Sequence, residues 1–193
     1  MSGHGAAHLC IDMQNLLKET SPWPTPWAQA VLPQIIALTA RMPERTIFTR
    51  FIPPRNPADM PGTWRRFYEK WRCVTREFID GDVVELLEPL REFTPPARLV
   101  DKMTYSAFSN SMLQHQLLEW KTDTLIVTGA ETDVCVLATV LAAIDRGYKI
   151  LLPVDAVCSS SDECHDSLMT LYRQRFSEQV ETVDTEYLLS RSW

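Results

Sequence analysis

The sequence predicts an α/β domain, a parallel sheet with helices on both faces, and three observations lead there. Short apolar runs bounded by turn residues alternate with segments of helical period along the whole chain. At 193 residues the chain is long enough for one full core and too short for two ordinary ones. The stretch Thr124-Leu-Ile-Val-Thr-Gly-Ala-Glu-Thr-Asp-Val-Cys135 reads as a buried strand, a tight turn and the start of a helix.

Ala7-His-Leu-Cys-Ile-Asp12 is the first strand, with Asp12 at the carboxyl end, where ligands of open α/β sheets collect; an acid capping a turn is the plainer use of that position. Trp23-Pro-Thr-Pro-Trp then leads into a helix to about Arg41, with Val31, Ile35 and Leu38 on one face, and Pro43 ends it. Residues 45–50 form the second strand. Pro53, Pro54, Pro57 and Pro61 make a stiff excursion, after which Trp64, Phe67, Tyr68 and Trp71 share one helix face. Arg65, Arg66, Lys70, Arg72 and Arg76 accompany them in an otherwise acidic chain. This insertion, at about 53–77, is read either as a lid over a small planar or anionic substrate or as packing against the body or a second subunit, the commoner use of an aromatic stripe. Its basic residues would suit a substrate bearing a carboxylate.

Residues 82 to about 93 read as a helix with Val83, Leu86, Leu87 and Leu90 inward, kinked or ended by Pro89. Residues 97–102 are the third strand and deliver Asp101 and Lys102 to its carboxyl end, although most lysines are simply solvated charges. A helix through Met112, Leu113 and Leu117 follows. After the fourth strand, Val136, Leu137, Val140, Leu141 and Ile144 lie at helical spacing, with Asp133 as N-cap and Cys135 in the first turn. There, unpaired N–H groups and the helix dipole favour a thiolate, so Cys135 is a candidate nucleophile, or else a small core residue. Gly147 closes this helix, and residues 148–155 are the fifth strand. The run Ser159-Ser-Ser-Asp162 caps a helix carrying Leu168, Leu171, Tyr172 and Phe176, and 180–183 is a sixth and last strand before a terminal helix.

A net charge of -6 argues against nucleic acid, which needs a basic face, and leaves small molecules as the expected ligands. The longest apolar run, 134–144, is too short to cross a bilayer. The opening Met-Ser-Gly-His-Gly-Ala-Ala lacks the basic region and apolar core of an export signal, so no membrane association and a cytoplasmic location are expected. Cys10, Cys73, Cys135, Cys158 and Cys164 form an odd set without a C-x-x-C pair, which signals neither a disulfide framework nor a structural zinc site.

Asp12, Lys102 and Cys135 sit at the carboxyl ends of three expected strands or their turns, which share one sheet edge, so the three side chains can converge. Such a group suits nucleophilic catalysis: the carboxylate takes the thiol proton, the ammonium steadies both anions, and the helix start offers donors to an oxyanion. Across Ile11-Asp12-Met-Gln14-Asn15, Asp101-Lys102-x-x-Tyr105-Ser-x-Phe108 and Gly129-Ala130-Glu131-Thr-Asp-Val-Cys135-Val, and on through Val154-Asp-Ala-Val-Cys-Ser159, the chain resembles the isochorismatase-like cysteine hydrolases. These include nicotinamidase, N-carbamoylsarcosine amidase and ureidoacrylate or biuret hydrolases.

The resemblance covers nearly the whole chain. It implies a single three-layer α/β/α domain over 1–193 with a mainly parallel, Rossmann-like six-stranded sheet, assembled as a homodimer or homotetramer. It further implies Cys135 as nucleophile, Asp12 as general base and then acid, Lys102 as electrostatic support, a cis Ala130–Glu131 peptide, and an oxyanion hole from the N–H groups of Glu131 and Cys135. Gln14, Arg50, Trp64, Tyr105 and Phe108 are candidate substrate contacts. Nicotinamidases hold a metal with aspartate and histidines after the second strand, whereas 51–64 here contains no histidine and His4, His8, His115 and His165 fall outside that pattern. No metal, no cofactor and no nicotinamidase activity are therefore expected. The expected function is hydrolysis of a C–N bond in a small carboxamide or ureido compound through a thioester. Alternatives are vinyl ether hydrolysis of the isochorismate type, with Asp12 as the acid, and a catalytically silent binding protein.

Overall fold

Alternation along the strands decides the layers. In the computed structural model, which describes residues 5–191, β1 (Gly5–Ile11) sends Ala7, Leu9 and Ile11 to one face of the sheet and Ala6 and Cys10 to the other. The first face is covered by α4 (Ser111–Glu119), α5 (Leu137–Ile144) and α6 (Asp162–Arg175) through Leu113, Leu117, Val140, Ala143, Met169 and Tyr172. The second is covered by α1 (Ala28–Arg41) and α7 (Thr185–Leu189) through Val31, Leu32, Ile35, Leu38 and Leu188. This is the expected α/β/α arrangement.

The sheet is parallel, in the order β3 (Arg98–Lys102), β2 (Thr46–Phe51), β1, β4 (Thr122–Ala130), β5 (Lys149–Pro153), β7 (Val180–Val183). Among the described residues it has seven strands rather than six. The extra one, β6 (Val157–Cys158), pairs in parallel with Gly129 and Ala130 after β5 has diverged from β4. Two residues carry too little pattern to announce a strand.

The helix expected over 82–93 is not formed. Gly81–Val84 is a 3-10 turn and α3 (Glu88–Arg91) is a single α-turn with Pro89 in its first positions. The loop leaving β1 takes the intervening backbone: Asn15 N–H donates to Glu85 O at 2.8 Å, and Leu87 N–H donates to Met13 O at 2.9 Å. Those bonds claim groups that a continuous helix would need. Asp133 is likewise not an N-cap, because Thr132–Val136 forms a π-helical turn that runs into α5. The insertion carries α2 (Gly62–Lys70), whose aromatic face closes a third apolar cluster with Leu16, Phe51, Met60, Tyr68 and Val74 above the carboxyl edge of the sheet.

Gly129 marks the tightest approach in the sheet. Its φ is +105°, and a Cβ there would lie 2.1 Å from Ile11 O and 2.7 Å from Ile11 N. Both clashes are with backbone that cannot swing aside. Gly129→Ala is expected to cost roughly 3 kcal/mol or more, read as a lowered urea midpoint.

His8, fully buried in β1, bonds side chains from three other elements: Thr128 Oγ1 at 2.8 Å, Thr46 Oγ1 at 3.3 Å and Thr39 Oγ1 at 3.5 Å. Burial lowers its pKa to about 3. Between that value and the ordinary histidine pKa the unfolded chain binds the extra proton and the folded chain does not, so stability falls as pH falls through this window. Going from about pH 7 to about pH 5 should cost about 2 kcal/mol from this group. The check is that the pH dependence of the urea midpoint flattens in His8→Gln.

Candidate active site

Each functional side chain enters from the end of a parallel strand. After Ile11 the backbone turns at Asp12 with φ 49°, a conformation that aspartate tolerates better than most residues. The turn is set by Thr49 on the neighbouring strand. Its hydroxyl accepts from Asp12 N–H at 3.1 Å and donates to Asp12 Oδ1 at 2.6 Å. Lys102 starts from the edge strand β3, and its side chain crosses β2 over the Phe51 ring, with Nζ 4.9 Å from the ring centroid. At the far end Nζ meets Asp12 Oδ2 at 2.6 Å, Cys135 Sγ at 3.4 Å and Thr104 O at 3.2 Å. The Lys102 ion pair holds Asp12 Oδ2.

The pair is almost closed to water, Asp12 being 5% and Lys102 2% exposed. Burial works against the Lys102 ammonium, but Asp12 and then Cys135 outweigh it and hold its pKa above the ordinary lysine value. Burial, and next the charge of Asp12, push the Cys135 thiol well above the usual cysteine range against the opposing pull of Lys102. Burial and the Asp12 charge thus favour the thiol form of Cys135, against the pull of Lys102 and the thiolate expected at a helix start.

Cys135 lies in the Thr132–Val136 turn, separated by three residues from the cis peptide between Ala130 and Glu131. The N–H groups of Val134 and Val136 both donate to Glu131 O, at 3.0 and 3.1 Å. Cys135 and Glu131 face a cavity of about 410 Å³ with Asp12 at its floor. Trp23, Phe51, Phe67, Trp71 and Tyr105 build its walls, joined by Leu16 and Leu17. Trp23 sits about 6 Å, centroid to centroid, from each of Phe51, Phe67 and Trp71.

Of the expected substrate contacts, Tyr105 and Gln14 line this cavity. The Gln14 amide is already committed, donating to Phe51 O at 3.1 Å and Val84 O at 2.6 Å and accepting from Phe51 N–H at 2.7 Å, so it braces the wall. Arg50 lies elsewhere. Its guanidinium pairs with Glu85 at 2.6 Å and Asp101 at 2.8 Å beside a different depression. Trp64 packs behind the wall, 4.6 Å from the Tyr105 ring, and Phe108 is a core residue stacked at 6.0 Å on Tyr148. The cationic side chains of the insertion, Arg65, Arg66, Lys70, Arg72 and Arg76, are all exposed. Among the described residues the charged side chains lining the cavity are Asp12 and Glu131, with the Lys102 ammonium 2.6 Å from Asp12 and 3.4 Å from Cys135, and the cations of the insertion do not reach it.

Sequence reasoning missed Trp23, Phe51 and Thr49. The proline-spaced tryptophans from Trp23 to Trp27 were the available signal for the first, since a large aromatic held in a stiff loop needs an apolar surface to meet.

Among the described residues no group of three or more His, Cys, Asp or Glu side chains is placed to hold an ion. His8 is inside the sheet, His115 is on α4 and His165 on α6, while His4 lies outside the described residues. No described helix is long and apolar enough to cross a membrane.

The family model described as the isochorismatase domain matches residues 6–184. The chain is 31% identical over 169 residues to nicotinamidase 3 of Arabidopsis thaliana, an alignment covering 85% of this chain and 78% of that protein. Among solved structures it is similar to nicotinamidase/pyrazinamidase PncA from Bacillus subtilis, with 26% identity, a TM-score of 0.74, and 91% and 98% of the two chains covered. A cysteine hydrolase from Pseudomonas syringae pv. phaseolicola 1448A shares the fold, with 24% identity, a TM-score of 0.79, and 95% and 90% covered.

Proposed function

Since the chain belongs to the isochorismatase family and is a hydrolase, we propose that it cleaves the C–N bond of a small uncharged carboxamide through a thioester on Cys135. The observation that carries this reading is the Lys102 ammonium, 2.6 Å from Asp12 and 3.4 Å from Cys135, two residues that line an aromatic cavity.

Substrate fills the cavity with its acyl group between Trp23, Phe67 and Trp71 and its carbonyl carbon over the sulfur. Asp12 takes the thiol proton as Sγ attacks, and the Lys102 ammonium steadies the charge that passes between them. The oxyanion rests on the N–H groups of Glu131 and Cys135. On collapse the leaving nitrogen takes the proton from Asp12 and departs as ammonia or an amine. Water then gives a proton to Asp12 and attacks the thioester, the thiolate leaves and is reprotonated, and the product is the carboxylic acid. Each turnover consumes one amide and one water. No step passes through a metal.

Uncharged flat amides suit walls of this kind, and a substrate carboxylate would face Asp12 and Glu131 with no free cation. The similarity to nicotinamidase 3 makes nicotinamide a compound to include, although no group of three or more His, Cys, Asp or Glu side chains among the described residues is placed to hold an ion. The test is ammonia release from a panel of aromatic and aliphatic carboxamides, ureido acids and biuret-like compounds, with and without chelator. Turnover of uncharged amides that chelator leaves intact is expected, with ureido acids poor. Turnover confined to carboxylate-bearing ureido acids, or none from any amide, sinks the proposal.

A further inference from the structure

Three consecutive residues at the entry to the nucleophile turn, Glu131, Thr132 and Asp133, are bonded from the connection between β6 and α6 and from the first turn of α6. Ser160 N–H donates to Glu131 Oε1 at 2.8 Å, Ser159 Oγ donates to Asp133 Oδ1 at 2.5 Å, and His165 Nδ1 lies 3.0 Å from Thr132 Oγ1. The connection is itself braced. Ser161 N–H donates to Ser159 Oγ at 3.2 Å, and Ser161 Oγ accepts from Cys164 N–H at 3.2 Å as the N-cap of α6.

None of these side chains has a part in the chemistry above. The His165 ring lines a second cavity, about 380 Å³, together with Trp27, Asp162 and Asp166. No residue borders both this cavity and the catalytic one, so His165 reaches the turn from the side that substrate does not occupy. Thr132, its partner, is fully buried and is the first residue of the π turn. A π turn is a wide and poorly self-supporting loop, so bonds from outside decide where its residues sit.

We propose that His165 is a positioning residue for Cys135: by bonding the Thr132 hydroxyl it fixes the start of the turn, and with it the sulfur opposite Lys102. Removing the imidazole leaves a buried hydroxyl without its partner, and the turn shifts to find another. Placement errors of about an ångström at a reacting atom are enough to slow it ten- to a hundredfold.

This inference rests on Cys135 being the nucleophile, and the experiment keeps the two apart. In the full chain, His165→Ala and Thr132→Val are compared for iodoacetamide alkylation of Cys135, followed by peptide mass mapping, and for turnover of whichever amide the ammonia assay identifies. In His165→Ala the alkylation rate should depart from that of the unmodified protein by about threefold or more, and kcat should fall about tenfold at nearly constant KM. Millimolar imidazole, entering the emptied second cavity, should restore both. Thr132→Val should show the same defects without rescue, and His165→Asn, whose amide reaches the same hydroxyl, should keep most of the activity. Unchanged alkylation and turnover in His165→Ala, or a defect that imidazole leaves untouched, overturns the proposal; the second outcome is what a purely structural histidine gives. If no amide is turned over, the acyl-transfer reading falls while the alkylation arm still decides the placement of the sulfur.

Discussion

Replacing Cys135 with alanine is expected to lower turnover by about four to six orders of magnitude and to leave folding nearly unchanged. The large effect follows from what remains. Asp12 and Lys102 would still form their 2.6 Å pair, but no atom of the cavity could then form the acyl bond. The small stability effect follows from position. Cys135 borders the cavity and packs against the core only partly, so losing its sulfur widens an existing space instead of opening a sealed one. Amide turnover measured beside the urea midpoint separates the two. Serine should fare little better than alanine, since Asp12 would have to deprotonate a far weaker acid. Vinyl ether cleavage predicts the reverse, because Asp12 alone supplies its proton and Cys135 stands by. Retained turnover in Cys135→Ala would therefore replace the thioester with that chemistry.

The convergence of Asp12, Lys102 and Cys135 was legible because a parallel sheet puts the carboxyl ends of its strands on one edge, whatever their separation in sequence. The same logic failed for Arg50. It too ends a strand, yet the register that pairs Arg50 with Asp101 puts a carboxylate beside it, and Glu85 takes another of its donors. Strand-end position says that a side chain is near the ligand edge, and register decides whether a neighbour has already claimed it. The 82–93 segment shows the corresponding limit for helices. Val83, Leu86, Leu87 and Leu90 keep helical spacing, but their backbone is engaged by the chain leaving β1, a long-range partnership that periodicity cannot register. The insertion was half legible. Its aromatic stripe faces inward as its spacing requires, while the five cations beside it face water.

The protonation state of the sulfur was not legible at all, since it depends on how much water the fold removes, and it leads to the second large effect. Asp12→Asn should lower turnover by about three orders of magnitude, because both half-reactions use the carboxylate to carry a proton. Its effect on the thiol has the opposite sign. Burial is the first cause of the raised Cys135 pKa and the Asp12 charge the second, with Lys102 opposing both. Without the carboxylate charge, the sulfur alone faces the ammonium at 3.4 Å, so its pKa falls and more of it is thiolate at neutral pH. Iodoacetamide should then modify Cys135 faster in Asp12→Asn than in the unmodified protein, with the alkylation profile displaced to lower pH, while amide hydrolysis nearly stops. A base that merely shaped the site would lose both together, as the sulfur moved away from Lys102. Parallel loss of alkylation and turnover would thus demote Asp12 to a structural acid, and undiminished turnover would move the proton transfer to another group.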